Sequence, residues 1–147
     1  MTIFLKFFHI AAAVLWLGGA GFMMVALRPA AAALPPPVRL PFMVTTLGRF
    51  FAVVWVAIAV LLITGFGMLL AVGMKGAPMG WHLMMGIGLL MCLIFGHLYF
   101  GPFRRLKIAV AQADWPEGGR RMGQIAMLAT LNFVLGWVAI AAVVFLK

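Results

Sequence analysis

Four long tracts with almost no charge divide this chain, and they leave it one kind of fold. They run over residues 4–27, 50–74, 78–103 and 122–146. A helix needs roughly 20 apolar residues to cross the hydrocarbon core of a bilayer, and each tract supplies them. Lipid offers no water to backbone N–H and C=O groups, so each tract is expected to be helical. The first is longer than the apolar stretch of a removable signal peptide and is expected to be a retained span. Of the 147 residues, 67% are hydrophobic and 9% charged, whereas a soluble domain carries about 25% charged residues. That balance excludes a soluble enzyme core and a disordered chain. The one cysteine, Cys92, excludes disulfide stapling and multi-cysteine metal sites. The expected fold is all-α: an integral membrane four-helix bundle, one transmembrane domain over residues 1–147.

The charges that remain read as an address. Eleven Lys and Arg stand against two acidic residues, a net charge of +9. The connectors 28–49 and 104–121, with the flanking helix ends, hold Arg28, Arg39, Arg49, Arg104, Arg105, Lys107, Arg120 and Arg121. The opposite side holds Lys6, Lys75 and Lys147. The positive-inside rule then puts both connectors in the cytoplasm and both termini on the periplasmic side of a bacterial inner membrane. Pro35, Pro36, Pro37 and Pro41 predict that part of the first connector is extended. Residues 74–79 read as a tight turn, and 104–121 as a polar, charged loop. Nucleic acid is excluded as a partner, because no soluble domain exists to present a basic face.

Three histidines lie inside the tracts, and ionisable residues there are candidate functional groups by default. His9 and His82 both fall near the periplasmic ends of spans that run in the same direction, so they are expected at matched depth. At about 100° per residue, His9 shares its side with Ala13, Trp16 and Ala20, and His82 with Gly86, Leu89, Leu93, Gly96 and Phe100. Small residues beside large apolar ones suit a flat, bulky cofactor. Two neutral imidazoles on facing helices are the ligands of a six-coordinate haem b, with Lys6 and Lys75 placed to meet its propionates. The alternative is a pair of interfacial histidines bonded to water or carbonyls. His97 lies roughly 22 Å farther along the axis than His82. It either bonds across helices near Arg49 or Tyr99, or joins Met23 or Met24 as a His/Met pair.

Twelve methionines offer soft thioether sulfur, which selects Cu(I). Met74, Met79, His82 and Met85 form a candidate copper site at the periplasmic ends. Methionine is also an ordinary gap-filler, and Met43, Met68, Met91, Met122 and Met127 are read as scattered core residues. Asn132 and Thr130 are expected to bond between helices. Pro116 and Glu117 are expected to open an amphipathic lead into the fourth span, with Trp115 anchored at the headgroups. No tract holds a carboxylate, so no proton relay of the pump type is visible, nor is a nucleophile–base pair.

Several short runs carry a family resemblance. Lys6-x-x-His9 is followed by Trp16-Leu17-Gly18-Gly19. Gly48-Arg49-Phe50-Phe51 opens the second span. Trp81-His82 leads to Gly96-His97-x-Tyr99 and then Phe103-Arg104-Arg105-Leu106. Together they resemble the CopD (copper resistance protein D) family of small four-span membrane proteins, over essentially the whole chain. The chain is also similar, more distantly, to HemJ-type protoporphyrinogen oxidases. The first likeness implies copper handling at the inner membrane. The second implies a haem b held by His9 and a basic residue near the start of span three. There the HemJ pattern has a Trp-x-His-x-Lys run, whereas Trp81-His82-Leu83-Met84-Met85 has no lysine, leaving His82 as second ligand.

The leading expectation is a redox membrane protein in which one haem b, ligated by His9 and His82, passes electrons between a quinone or redox partner and an external acceptor. The alternatives are a copper-handling protein without haem and a porphyrinogen oxidase. Glycine-rich faces also permit a homodimer.

Overall fold

A computed structural model describes residues 2–146 of the chain. Four helices are long and apolar enough to cross a membrane: α1 Thr2–Ala31, α2 Pro36–Val72, α3 Met79–Ala111 and α4 Trp115–Phe145. No strand occurs among the described residues. The molecule is therefore an all-helical, multi-pass membrane bundle, and its helices run alternately up and down. The start of α1 and the end of α4 lie at one end of it, here called the termini end. The links α1–α2 and α3–α4 lie at the other, the connector end. Lys147, counted above on the termini side, falls outside the described residues.

The connectors are shorter than the sequence predicts. Only residues 32–35 separate α1 from α2, and the proline-rich segment is helical rather than extended. Pro35 is extended (φ −66°, ψ 151°) and forms the N-cap, and the prolines after it occupy the first turn. Proline is tolerated there because first-turn N–H groups have no helical partner. Pro41 removes one further donor, and Thr45 Oγ1 donates to the Pro41 carbonyl at 3.2 Å. The 37 residues of α2 span about 55 Å at 1.5 Å per residue, well beyond the hydrocarbon core. Arg39 and Arg49 stand toward its start, so the excess length is expected at the connector end. The expected loop at 104–121 is likewise mostly helix. Arg104–Ala111 prolongs α3 because Leu106 and Ala109 recur at helical spacing and are buried. Asp114 then caps α4, its Oδ1 accepting from the Glu117 backbone N–H at 3.3 Å.

Two π-helical turns widen the spans, Met23–Leu27 in α1 and Tyr99–Phe103 in α3. Each holds or precedes a proline, Pro102 in the second and Pro29 just after the first. A proline frees the carbonyl four residues before it, and a wider turn accommodates its ring.

Helices α1 and α2 pack as one close pair and α3 and α4 as another. The pairs meet most tightly toward the connector end, where Leu40, Leu98, Phe103, Leu106, Ile125 and Val54 are the largest fully buried side chains. An aromatic cluster joins them: the Phe51 ring lies 5.3 Å from Phe95 and 4.9 Å from Phe103. Gly118 admits the Leu40 side chain, which a β-carbon would meet at 2.9 Å. The termini end is less completely filled, and the space there is the candidate site.

Candidate functional site

All four helices line a cavity of about 410 Å³ in the termini half of the bundle. α1 contributes Lys6, His9, Ala13 and Trp16, and α4 closes the far side with Gly136, Ala139 and Val143. His9 is the best-defined polar group in it. Its Nδ1 lies 2.8 Å from Thr64 Oγ1, and that hydroxyl sits 2.6 Å from the Val60 carbonyl of its own helix. A hydroxyl has one proton, and the carbonyl can only accept it. Thr64 therefore donates to Val60 and accepts from His9 Nδ1–H. That assigns the tautomer and leaves Nε2 with a free lone pair, the arrangement that prepares a histidine to bind a metal. The imidazole lies close against α2 because residue 65 is glycine; a β-carbon there would come within 3.3 Å of His9 Cε1.

The other notable feature is sulfur. Met68 from α2 and Met84, Met85, Met91 and Cys92 from α3 line the same space. Thioether, thiol and imidazole are soft or borderline donors. No carboxylate lines the cavity, so hard cations, which require oxygen, find no ligands. Among the described residues no three His, Cys, Asp or Glu side chains gather as a metal site, so any metal held here relies on methionine.

Of the residues grouped around His9 and His82 in the sequence, Lys6, His9, Ala13, Trp16, Met85 and Leu89 line the cavity. His82 is half-buried and lies outside its lining. Gly86, Leu93 and Phe100, which share the side of His82, are exposed. The structure thus does not bring His82 into the space that His9 lines. The face of α3 that looks inward runs through Trp81, Met84, Met85, Gly88 and Cys92, and His82 is about 100° round from Trp81. Met74 and Met79 are 57% and 63% exposed and also stand outside it. His97 is exposed, stands outside this cavity and makes no hydrogen bond to another described residue. Asn132 bonds between helices as expected, its Nδ2 donating to the Met91 carbonyl at 3.0 Å. Thr130 instead donates within its own helix, to Ala126.

Sequence reasoning missed Thr64, Met84 and Cys92 as site residues, and it read Met68 and Met91 as scattered whereas both line this one cavity. A signal was present in α3, where Trp81, Met84, Met85, Gly88, Met91 and Cys92 recur every three or four residues. On the four-helix geometry, that recurrence is one inward face.

In comparison with known families, the model described as CopD, Copper resistance protein D, matches residues 44–146. The match spans most of α2 and all of α3 and α4, and begins after Lys6 and His9. No curated protein and no solved structure matches.

Proposed function

The chain belongs to the copper resistance protein D family, and from that premise we propose that it handles copper, taking Cu(I) as cargo in the termini-side cavity. The observation that carries this reading is the convergence of soft donors on one space. His9, four methionines and Cys92 line a cavity that has no carboxylate. Soft ligands of this kind select Cu(I) over the hard cations that compete with it in a cell. Charge supports the same reading. A bare ion in an apolar interior is costly unless paired, and a Cys92 thiolate bound to Cu(I) forms a neutral unit. Lys6 on the cavity wall repels a divalent ion about twice as strongly as a univalent one. His9, held by Thr64, supplies a neutral donor that adds no charge. The address of the basic residues supports a bacterial inner membrane, with this cavity opening toward the periplasm.

The test is an anaerobic titration of the purified protein in detergent with Cu(I) against a coloured chelator. We expect Cu(I) to be retained against the chelator, and His9→Ala and Cys92→Ser each to weaken retention at least about tenfold. Retention unaffected by both substitutions would overturn the assignment. So would a protein that retains no Cu(I), or one that purifies with stoichiometric haem whose Soret band disappears in His9→Ala.

A further inference from the structure

In the connector half of the bundle a second space runs between α1 and α4. It is lined on α1 from Trp16 to Arg28 and on α4 from Asn132 to Met122. Those stretches span twelve and ten residues, about 18 Å and 15 Å along the helix axes. Met43, Phe51 and Val54 from α2 and Leu98 from α3 form its back wall. The closest packing at this end joins α2, α3 and α4, and the slot lies on the α1 side of it. The slot is thin: room for atom centres amounts to about 60 Å³, which over that length is a bore roughly one methylene wide. Met23, Met24, Met122, Ala126 and Ala129 in its walls are partly exposed, so one side is open to the surrounding lipid. At the deep end the rings of Trp16 and Phe95 meet edge-on at 6.0 Å between centroids, and the slot stops inside the bundle.

Length, lining and charge together select an occupant. Half of the roughly 30 Å hydrocarbon core is about 15 Å, so the slot has the reach of an acyl chain from one leaflet. Its walls are hydrocarbon and thioether, and flexible methionine side chains mould themselves to a chain that has no fixed shape. Arg28 stands at the connector end of the slot and is exposed. Its guanidinium has no ion-pair or hydrogen-bond partner among the described residues. The chain has two acidic residues, and both are engaged elsewhere. Asp114 caps α4, and Glu117 pairs with Arg120 and Arg121. An anion for Arg28 must therefore come from outside the chain. A guanidinium matches phosphate oxygens in a bidentate fork, and a metal cation at the same place would be repelled.

We propose that this slot binds one anionic phospholipid of the connector-side leaflet, with an acyl chain between α1 and α4 and the phosphate against Arg28. The bound chain fills the one gap that the helices leave in this half of the bundle. The site stands independently of the copper reading, since it uses neither His9 nor Cys92.

The experiment uses the full chain in detergent, stripped of endogenous lipid. It is offered phosphatidylglycerol or phosphatidylcholine with identical acyl chains, and bound lipid is counted by native mass spectrometry. Wild type is expected to retain one phosphatidylglycerol, in about fivefold preference to phosphatidylcholine. Arg28→Gln is expected to abolish the preference, and Arg28→Lys to keep most of it. Arg104→Gln, which removes an exposed cation outside the slot, should leave the preference unchanged. Ala126→Phe and Ala129→Phe each put a ring into the bore and are expected to lose both lipids, with a thermal melt confirming that the variant folds. A wild-type chain that retains no lipid, or holds both lipids equally, would overturn the site. Equal losses in Arg28→Gln and Arg104→Gln would reduce it to diffuse surface charge. Retention in both filled variants would place the acyl chain elsewhere and overturn it as well.

Discussion

The hydroxyl of Thr64 decides which nitrogen of His9 carries the proton. Thr64→Val keeps the shape of the side chain and removes the acceptor for Nδ1–H. We expect it to weaken Cu(I) binding by about 10–100-fold, the usual effect of removing a group that orients a metal-ligating histidine. Thr64→Ser should restore most of the affinity, and the chelator titration distinguishes the two variants. Of this pair, His9 was legible in the sequence and Thr64 was not. An ionisable group in an apolar tract is rare enough to be noticed at once. A threonine that bonds its own helix is ordinary, and its link to His9 joins positions 55 apart in the chain. Cys92 was noticed only as a reason to exclude disulfides. Its place beside four methionines depends on which face of α3 turns inward.

The helices themselves were plain in the sequence, but their faces were not. Lipid tails and a bundle interior are equally apolar, so hydrophobicity cannot say which side of a membrane helix packs against its neighbours. The side of α3 that carries His82 has glycines and large apolar residues, as a buried face would, yet much of it is exposed. Helix ends were obscured for a related reason. Hydropathy reports where a helix meets lipid, while Pro36–Arg49 and Arg104–Ala111 continue as helix because Leu40, Leu106 and Ala109 pack around Gly118 at the start of α4. Close approach between helices is better evidence of a face than apolarity. A β-carbon at Gly80 would run into the backbone carbonyls of Ala142 and Leu146, whereas one at Gly86 would meet nothing within 4 Å. Gly80→Ala is therefore expected to destabilise the α3–α4 pair by about 1–3 kcal/mol. Gly86→Ala should be neutral or slightly stabilising, since alanine is the better helix former. Thermal unfolding of both variants in one detergent checks the contrast.

Across the whole molecule, charge and packing both accumulate at the connector end. Eight of the eleven basic residues lie there or on the adjoining helix ends, as do the two acidic ones, Asp114 and Glu117. Glu117 pairs with Arg121 at 2.6 Å and also with Arg120. We expect that end to be cytoplasmic. Alkaline phosphatase fused after the last helix should then be active and a fluorescent protein dark, and the reverse result would invert the orientation and the side from which the termini-end cavity is met. The side chains that fit most closely, Leu40, Phe103 and Leu106 among them, also lie at that end, while the termini half encloses the larger space. A bundle fastened at one end and hollow at the other resembles tweezers gripped at the root. Each prong is a close helix pair at its tip, where the Gly80 N–H donates to the Leu146 carbonyl at 3.2 Å and Thr64 joins His9 at 2.8 Å, so what can vary is the gap between the prongs. The first cavity is then expected to have a volume that the surrounding leaflet helps to set, which would make the grip on an ion proposed there a joint property of protein and membrane.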